Sequence, residues 1–219
     1  VPRPLIKGMT ERVDFRGEVI CPLDVAEVRR AVRALLKAGV KAIAVSLLWS
    51  FKNPAHELLV RSVVEEEAPG VFVTLSSDLA PVLGEYERTI TTVLNSHLGP
   101  VLSQYLEALE ERLKRESFRG SFLVMQSARG SLPATEARKV AVQILNSGPI
   151  GGVLGALLLG ERKGWKNLIA TDVGGTSFDV SLVVEGETLS AVTPVFDRYS
   201  LALPMTHITS IGAGGGSIA

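Results

Sequence analysis

Apolar positions along this chain change period several times, and each change marks an element. Residues 5–20 alternate loosely around Asp14-Phe15-Arg16-Gly17-Glu18, which predicts a turn between two short strands. Asp24-Val25-Ala26-Glu27 has the form of a capping box with Asp24 as N-cap. It opens a helix with Val25, Val28, Val32, Leu35 and Leu36 on one face, ended by Gly39. Val40 to Leu48 reads as a buried strand. Asn53-Pro54 starts a second helix, Pro69-Gly70 stops it, and Val71 to Leu75 is another short strand. Helix and strand alternating through short connections predict an α/β layer. A long helical region begins at Glu85, with an interruption expected at Gly99-Pro100. Beyond it Leu102, Leu106, Leu109 and Leu113 form one apolar stripe, while Glu110–Lys114 and Glu111–Arg115 support the wet face. Phe122 to Met125 is a strand, and Pro149 to Leu159 begins an apolar helix whose small residues would permit close packing on a sheet. Residues 168–172 and 178–184 have the length and β-branched content of paired antiparallel strands in a mixed sheet. The break near 95–100 is the expected domain seam, dividing 1–95 from 96–219.

Composition narrows the classes. With 219 residues and 46% hydrophobic content the chain can bury a sizeable core in one or two domains. Lys plus Arg and Asp plus Glu are equal at 23 each, so no global field draws nucleic acid or an anionic membrane. The one cysteine, Cys21, allows no internal disulfide and fits a reducing cytoplasm, the expected location. Residues 1–20 carry charges throughout and do not read as a signal peptide. The histidines, His56, His97 and His207, come singly, with no spacing that would hold zinc. Structural or surface roles are expected for them, with His207 kept as a possible active-site residue. Glu87–Arg88 reads as surface charge on a helix.

Candidate chemistry concentrates at Asp172-Val173-Gly174-Gly175-Thr176-Ser177-Phe178-Asp179. Adjacent glycines let the backbone approach an anion, so that N–H groups from Gly174 to Ser177 can point at a phosphate. Asp172 and Asp179, at either end of the turn, can hold a hydrated Mg²⁺, which takes few carboxylates. The segment lacks the Gly-Lys-Ser/Thr of a P-loop and does not open a helix as a Rossmann fingerprint does. A Gly-Gly turn beside an aspartate is also an ordinary hairpin. A second cluster, Gly212, Gly214, Gly215, Gly216 and Ser217, favours the nucleotide reading, since so many glycines carry an entropic cost that a close backbone approach would offset.

These segments resemble the hydantoinase A/5-oxoprolinase family. The matching stretches are Ser50–Glu57, Glu85–Thr92, Asn95–Pro100, Leu123–Ser127, Ser147–Pro149, the Asp172 hairpin and 212–219, in one order along nearly the whole chain. The resemblance implies an α/β fold of the actin-like ATPase kind, ribonuclease-H-like, with a mixed sheet and flanking helices. It makes the Asp172 hairpin the second of two phosphate loops and places Gly212–Ser217 in an adenosine-side motif. It also implies ATP and Mg²⁺, a cyclic amide substrate, a partner subunit of the hydantoinase B type, and a fragment of a larger protein. Residues 1–95 would close an N-terminal α/β domain and 96–219 would begin the ATP-binding domain. With the first phosphate loop outside this sequence, residues 1–219 alone are expected to bind ATP weakly or not at all.

Three positions depart from the family pattern. Phe178 stands where Thr is usual, removing a hydroxyl expected near the phosphates. Ala128-Arg129-Gly130 stands where Asn-Gly-Gly is common after Met-Gln-Ser, and His207 where Asp is common. The expected activity is ATP-driven phosphorylation of a cyclic amide oxygen followed by ring-opening hydrolysis. The alternatives are the ATP-dependent subunit of a ketone carboxylase and a non-catalytic nucleotide switch. No residue reads as a general base.

Overall fold

Short-range capping fixes the first elements. In the computed structural model, which describes residues 1–128 and 130–217, β1 (Arg12–Val13) and β2 (Val19–Cys21) pair antiparallel around a turn held by Asp14, whose Oδ1 accepts from the backbone N–H of Arg16 and Glu18. Helix α1 (Val25–Lys37) is capped by Asp24, which accepts from Ala26 N. The capping box is only half made, because Glu27 accepts from Thr10 N instead of reaching back to Asp24. At the other end Gly39 has φ +79°, and the bonds Gly39 N→Leu36 O and Val40 N→Leu35 O form a Schellman closure. Strand β3 (Ala42–Val45), helix α2 (Ala55–Glu67) and strand β4 (Phe72–Leu75) follow, each shorter than or equal to its expected span. Asn53 serves the start of α2 by accepting from Ala55 N. Arg33, then Arg29, bind the Glu67 carboxylate across α1 and α2 and hold it down to about 2.

The β3–β4 pair is parallel and covered on both faces. Ile43, Val45 and Leu75 pack with Val28, Val32, Val60, Val63 and Val64 of α1 and α2. The opposite face meets α4 (Glu85–Arg115), which follows the short α3 (Ser76–Leu79). Helix α4 is continuous for 31 residues, which overturns the break expected at Gly99-Pro100, and the seam placed at 95–100 falls within it. The reason is packing. A Cβ at Gly99 would stand 2.2 Å from the Phe72 ring, so glycine is there to let helix and strand approach. The leucine stripe is only partly covered apart from Leu106, and Arg115 bonds the Glu111 carbonyl, not its carboxylate.

The face that α4 turns inward is polar. Thr89 bonds Ser46, and Asn95 donates to Thr74 Oγ1 at 3.0 Å. Arg88 is fully buried, which corrects its reading as surface charge. Its guanidinium donates to Ser50 and Ser76 and, at 2.7 Å, to the Leu47 carbonyl, and it lies 5.5 Å over the Phe51 ring. Burial pushes Arg88 down from its ordinary value, and Glu57 opposes this. Glu57, also fully buried, accepts from Leu47 N, Ser77 N and the Ser76 hydroxyl. The same helix reaches the rest of the chain through Asn95, which donates to Lys139 O and accepts from Val142 N, and through Thr91, which accepts from Ala202 N.

The hairpin β5 (Leu123–Met125) and β6 (Ser131–Pro133) leads through α5 (Ala134–Ala137) and a 3₁₀ turn at Ala141–Ile144 into α6 (Ser147–Lys163). Strands β7 (Leu168–Val173) and β8 (Phe178–Val184) then pair antiparallel, as expected. After β9 (Glu187–Thr188), β10 (Ser190–Ala191), β11 (Val195–Phe196), β12 (Tyr199–Ser200) and β13 (Met205–Thr206), strand β14 (Thr209–Ile211) adds to the free edge of β8. The order is β14-β8-β7 with β9 beside β8. All these pairings are antiparallel, so the sheet is not mixed; the parallel pair lies elsewhere, in β3–β4. Helix α6 covers one face through Val153 against Ala170 and Val183. Its glycines do not act as expected: Gly148, Gly151, Gly152 and Gly155 face open space, and only Gly160 makes a close approach, to Leu168 and the Trp165 carbonyl. No described helix is long and apolar enough to cross a membrane.

Candidate functional site

Strand alternation decides which side chains of the hairpin share a face. Asp172 and Asp179 are direct cross-strand partners, so both project to the side covered by α6, beyond Ala170 and Ser181. They line one cleft of about 220 Å³ together with Pro149 and Gly152 from the first turns of α6, Ser181 and Ile208. Two carboxylates directly opposed across strands repel each other, and a cation between them would relieve that repulsion. Among the described residues no third carboxylate, histidine or cysteine joins them into a larger ligand cluster. That donor set suits Mg²⁺, which keeps most of its waters and takes one or two carboxylates.

The turn itself is closed by Gly174 N→Ser177 O at 3.0 Å. Gly174 therefore spends its N–H within the turn and is not among the donors turned outward, which corrects the expected set. Among the described residues, nothing in the protein accepts from the N–H groups of Gly175, Thr176 and Ser177. A Cβ at Gly175 would meet nothing within 4 Å. Successive amides left unbonded at a turn are the donors an anion site uses, although Thr176 N lies directly beneath Gly214.

The second glycine cluster lies against this turn. Gly215 N donates to Gly174 O at 2.9 Å and Gly216 N to Gly175 O at 2.8 Å, while Gly214 N is taken by Ser217 Oγ at 3.0 Å. A Cβ on Gly214 would stand 2.6 Å from Thr176 N and 2.7 Å from Gly174 O. Gly212 has no such neighbour within 4 Å. Gly214→Ala is therefore expected to lower stability by about 1–3 kcal/mol through overpacking and to speed amide exchange at 174–177. Gly212→Ala should leave both unchanged. Thermal denaturation with hydrogen exchange checks this, and equal behaviour of the two variants would refute the close approach.

The departures from the family pattern fall differently from expectation. Phe178 pairs with Val173 and Ile211, so its side chain lies on the sheet face away from Asp172 and Asp179. The position of the usual Thr therefore lies across the sheet from the two carboxylates. His207 is exposed, its carbonyl accepts from the buried Ser181 hydroxyl at 2.8 Å, and it precedes Ile208 of the aspartate cleft. Arg129 and residues 218–219 lie outside the described residues. Sequence reasoning missed Gly152, Ser181 and Ile208 as walls of the cleft; only the alternation of β8 could have pointed to Ser181.

This chain is 40% identical over 225 residues to the acetophenone carboxylase gamma subunit of Aromatoleum aromaticum, covering 100% of this chain and 30% of that protein. It is 40% identical over 221 residues to the acetone carboxylase beta subunit of Xanthobacter autotrophicus, covering 99% of this chain and 30% of the relative. The crystal structure of ATP-dependent caprolactamase from Pseudomonas jessenii superposes with a TM-score of 0.89 at 36% identity, over 100% of this chain and 32% of that one. The chain thus spans about a third of the length of the proteins it matches. Residues 1–68 match the hydantoinase/oxoprolinase N-terminal region and residues 88–219 the hydantoinase/oxoprolinase domain, and the chain belongs to the hydantoinase/oxoprolinase family.

Proposed function

We propose that this chain forms the phosphate-handling part of an ATP-dependent enzyme that activates a carbonyl oxygen, opening a cyclic amide by hydrolysis. The observation that carries the reading is the cross-strand pair Asp172 and Asp179 beside the unclaimed amides of Gly175, Thr176 and Ser177. Its architecture in the intact protein is taken to be actin-like, with a second phosphate loop contributed by another part of the polypeptide.

An unstrained amide is a poor electrophile, and a phosphorylated amide oxygen is a good leaving group. Mg·ATP bound at this hairpin would supply the phosphoryl group. Phosphoryl transfer depends mainly on positioning and charge neutralisation. Asp172 and Asp179 would hold the hydrated cation, the turn amides would face phosphate charge, and Gly214–Gly216 would wall the turn from water. Among the described residues lining the cleft, none is assigned as a general base. The partner subunit expected from the family would complete the enzyme.

The ketone carboxylase reading is the alternative, favoured by the 40% identity to subunits of acetone and acetophenone carboxylases. The deciding assay measures ATP hydrolysis by the full-length protein with its partner subunit. Stimulation by caprolactam, hydantoin or 5-oxoproline without bicarbonate is the expected result. Stimulation by ketones that requires bicarbonate would select the alternative. Slow hydrolysis indifferent to every compound would replace both with a nucleotide switch.

A further inference from the structure

A second cleft, of about 390 Å³, lies between the β5–β6 turn, the 3₁₀ turn and the segment 203–205. The wall is apolar: Val142, fully buried, with Leu203, Pro204 and Met205. The polar groups are the side-chain amides of Gln126 and Gln143, joined by Gln126 Nε2→Gln143 Oε1 at 2.8 Å. That single bond leaves one amide oxygen, Gln126 Oε1, and one NH₂ group, Gln143 Nε2, without a side-chain partner among the described residues. An acceptor and a donor are the two groups that the N–H and C=O of a ring amide require. Turning both amides over exchanges the roles and preserves the match. None of the described residues lining the cleft is charged, so a carboxylate buried here would lose its hydration with no counter-ion in return.

Two stretches of chain run from this cleft to the cleft of Asp172 and Asp179. Gln143 lines one and Pro149 the other; Met205 lines one and Ile208 the other. The three steps from 205 to 208 span at most about 10 Å. Ser127 fastens both stretches. Its N–H donates to the Gln143 carbonyl at 2.6 Å, its single hydroxyl proton is shared between the carbonyls of Gln143 and Leu145, and its own carbonyl accepts from Thr206 N at 2.9 Å.

We infer that this cleft is the acceptor subsite, taking a neutral cyclic amide whose carbonyl is held next to the phosphate cleft. The chemistry rests on the ATP-dependent reading above, while binding is testable without nucleotide. In the full-length protein with its partner subunit, Leu203→Trp fills the cleft from a half-buried position, and Gln143→Leu removes the donor at similar size. The probes are ε-caprolactam, acetophenone and 5-oxoproline.

Both variants should raise KM for caprolactam at least about tenfold, leave KM for ATP within about twofold, and keep the wild-type thermal midpoint. The wild type should prefer caprolactam to the other two probes. Ligand-observed NMR with caprolactam and no ATP should show saturation transfer on the wild type that Leu203→Trp abolishes. Unchanged KM for caprolactam, KM for ATP moving in step with it, a preference for 5-oxoproline or acetophenone, or binding retained in Leu203→Trp would each overturn the assignment. Binding that Leu203→Trp abolishes, with no compound stimulating ATP hydrolysis, would uphold the subsite and remove the ATP-dependent reading. Stimulation that both variants retain at unchanged KM would do the reverse.

Discussion

Replacing Asp172 with Asn in the full-length protein is expected to lower ATP-dependent turnover by on the order of 10²- to 10³-fold without lowering stability. The two halves of this expectation have one cause. Asp172 and Asp179 face each other directly across β7 and β8, and like charges so placed weaken the strand pair. Asn keeps the shape and removes the repulsion, so the thermal midpoint without ligand should hold or rise. With Mg·ATP the variant should lose the cation-dependent stabilisation that the wild type shows. Steady-state ATP hydrolysis and thermal denaturation, each with and without Mg²⁺, measure both. Turnover within a few-fold of wild type, or a midpoint that falls sharply, would remove Asp172 from the metal role.

The second large effect concerns stability. Arg88→Leu should cost about 3–5 kcal/mol, the range for breaking a buried charge pair by removing one partner, out of a total of roughly 5–15 kcal/mol for a typical domain. Arg88 and Glu57 do not touch; Ser76 stands between them, donating to Glu57 and accepting from Arg88. Removing the cation leaves the Glu57 carboxylate buried without a nearby positive charge, and leaves the Leu47 carbonyl and the Ser50 hydroxyl without their donor. Glu57→Gln should cost less, about 1–2 kcal/mol, because the amide still accepts at one oxygen. Chemical denaturation followed by circular dichroism separates the two variants. A loss under about 1 kcal/mol in Arg88→Leu would show that the network is dispensable.

The hairpin was legible because its signal is local. Two β-rich runs and a Gly-Gly turn fix strand positions, and once the register is known, alternation puts both aspartates on one side. What lay beyond reach depended on neighbours distant in sequence. Gly99-Pro100 looks like a helix stop until Phe72, which needs the glycine's missing Cβ, is placed beside it. Glu87-Arg88 looks like wet surface because an inward polar face carries no hydrophobic period; its partners Ser50 and Ser76 lie 38 and 12 residues away. The glycines of α6 suggested intimate packing, yet most face open space, since composition alone does not give the side of the helix on which a residue falls. The second glycine cluster was recognisable as unusual, but its seat on the first turn depends on β14 joining β8, a pairing across about thirty residues.

The polar seam of α4 has a mechanical consequence. Apolar ridges can slide past one another by small shear steps at little cost, whereas hydrogen bonds have fixed lengths and directions. Ser46–Thr89, Thr74–Asn95 and the Arg88 bonds act together as the teeth of a key. A shift of one helical turn, about 5.4 Å, would break all of them at once and strand their polar groups in a dry interface. Helix α6 is seated differently, by shape, through Val153 on Ala170 and Val183 and through Gly160 against Leu168. The register of α4 on the β3–β4 pair is thus fixed twice over, by the lengths of these bonds and by the fit of Gly99 against the Phe72 ring.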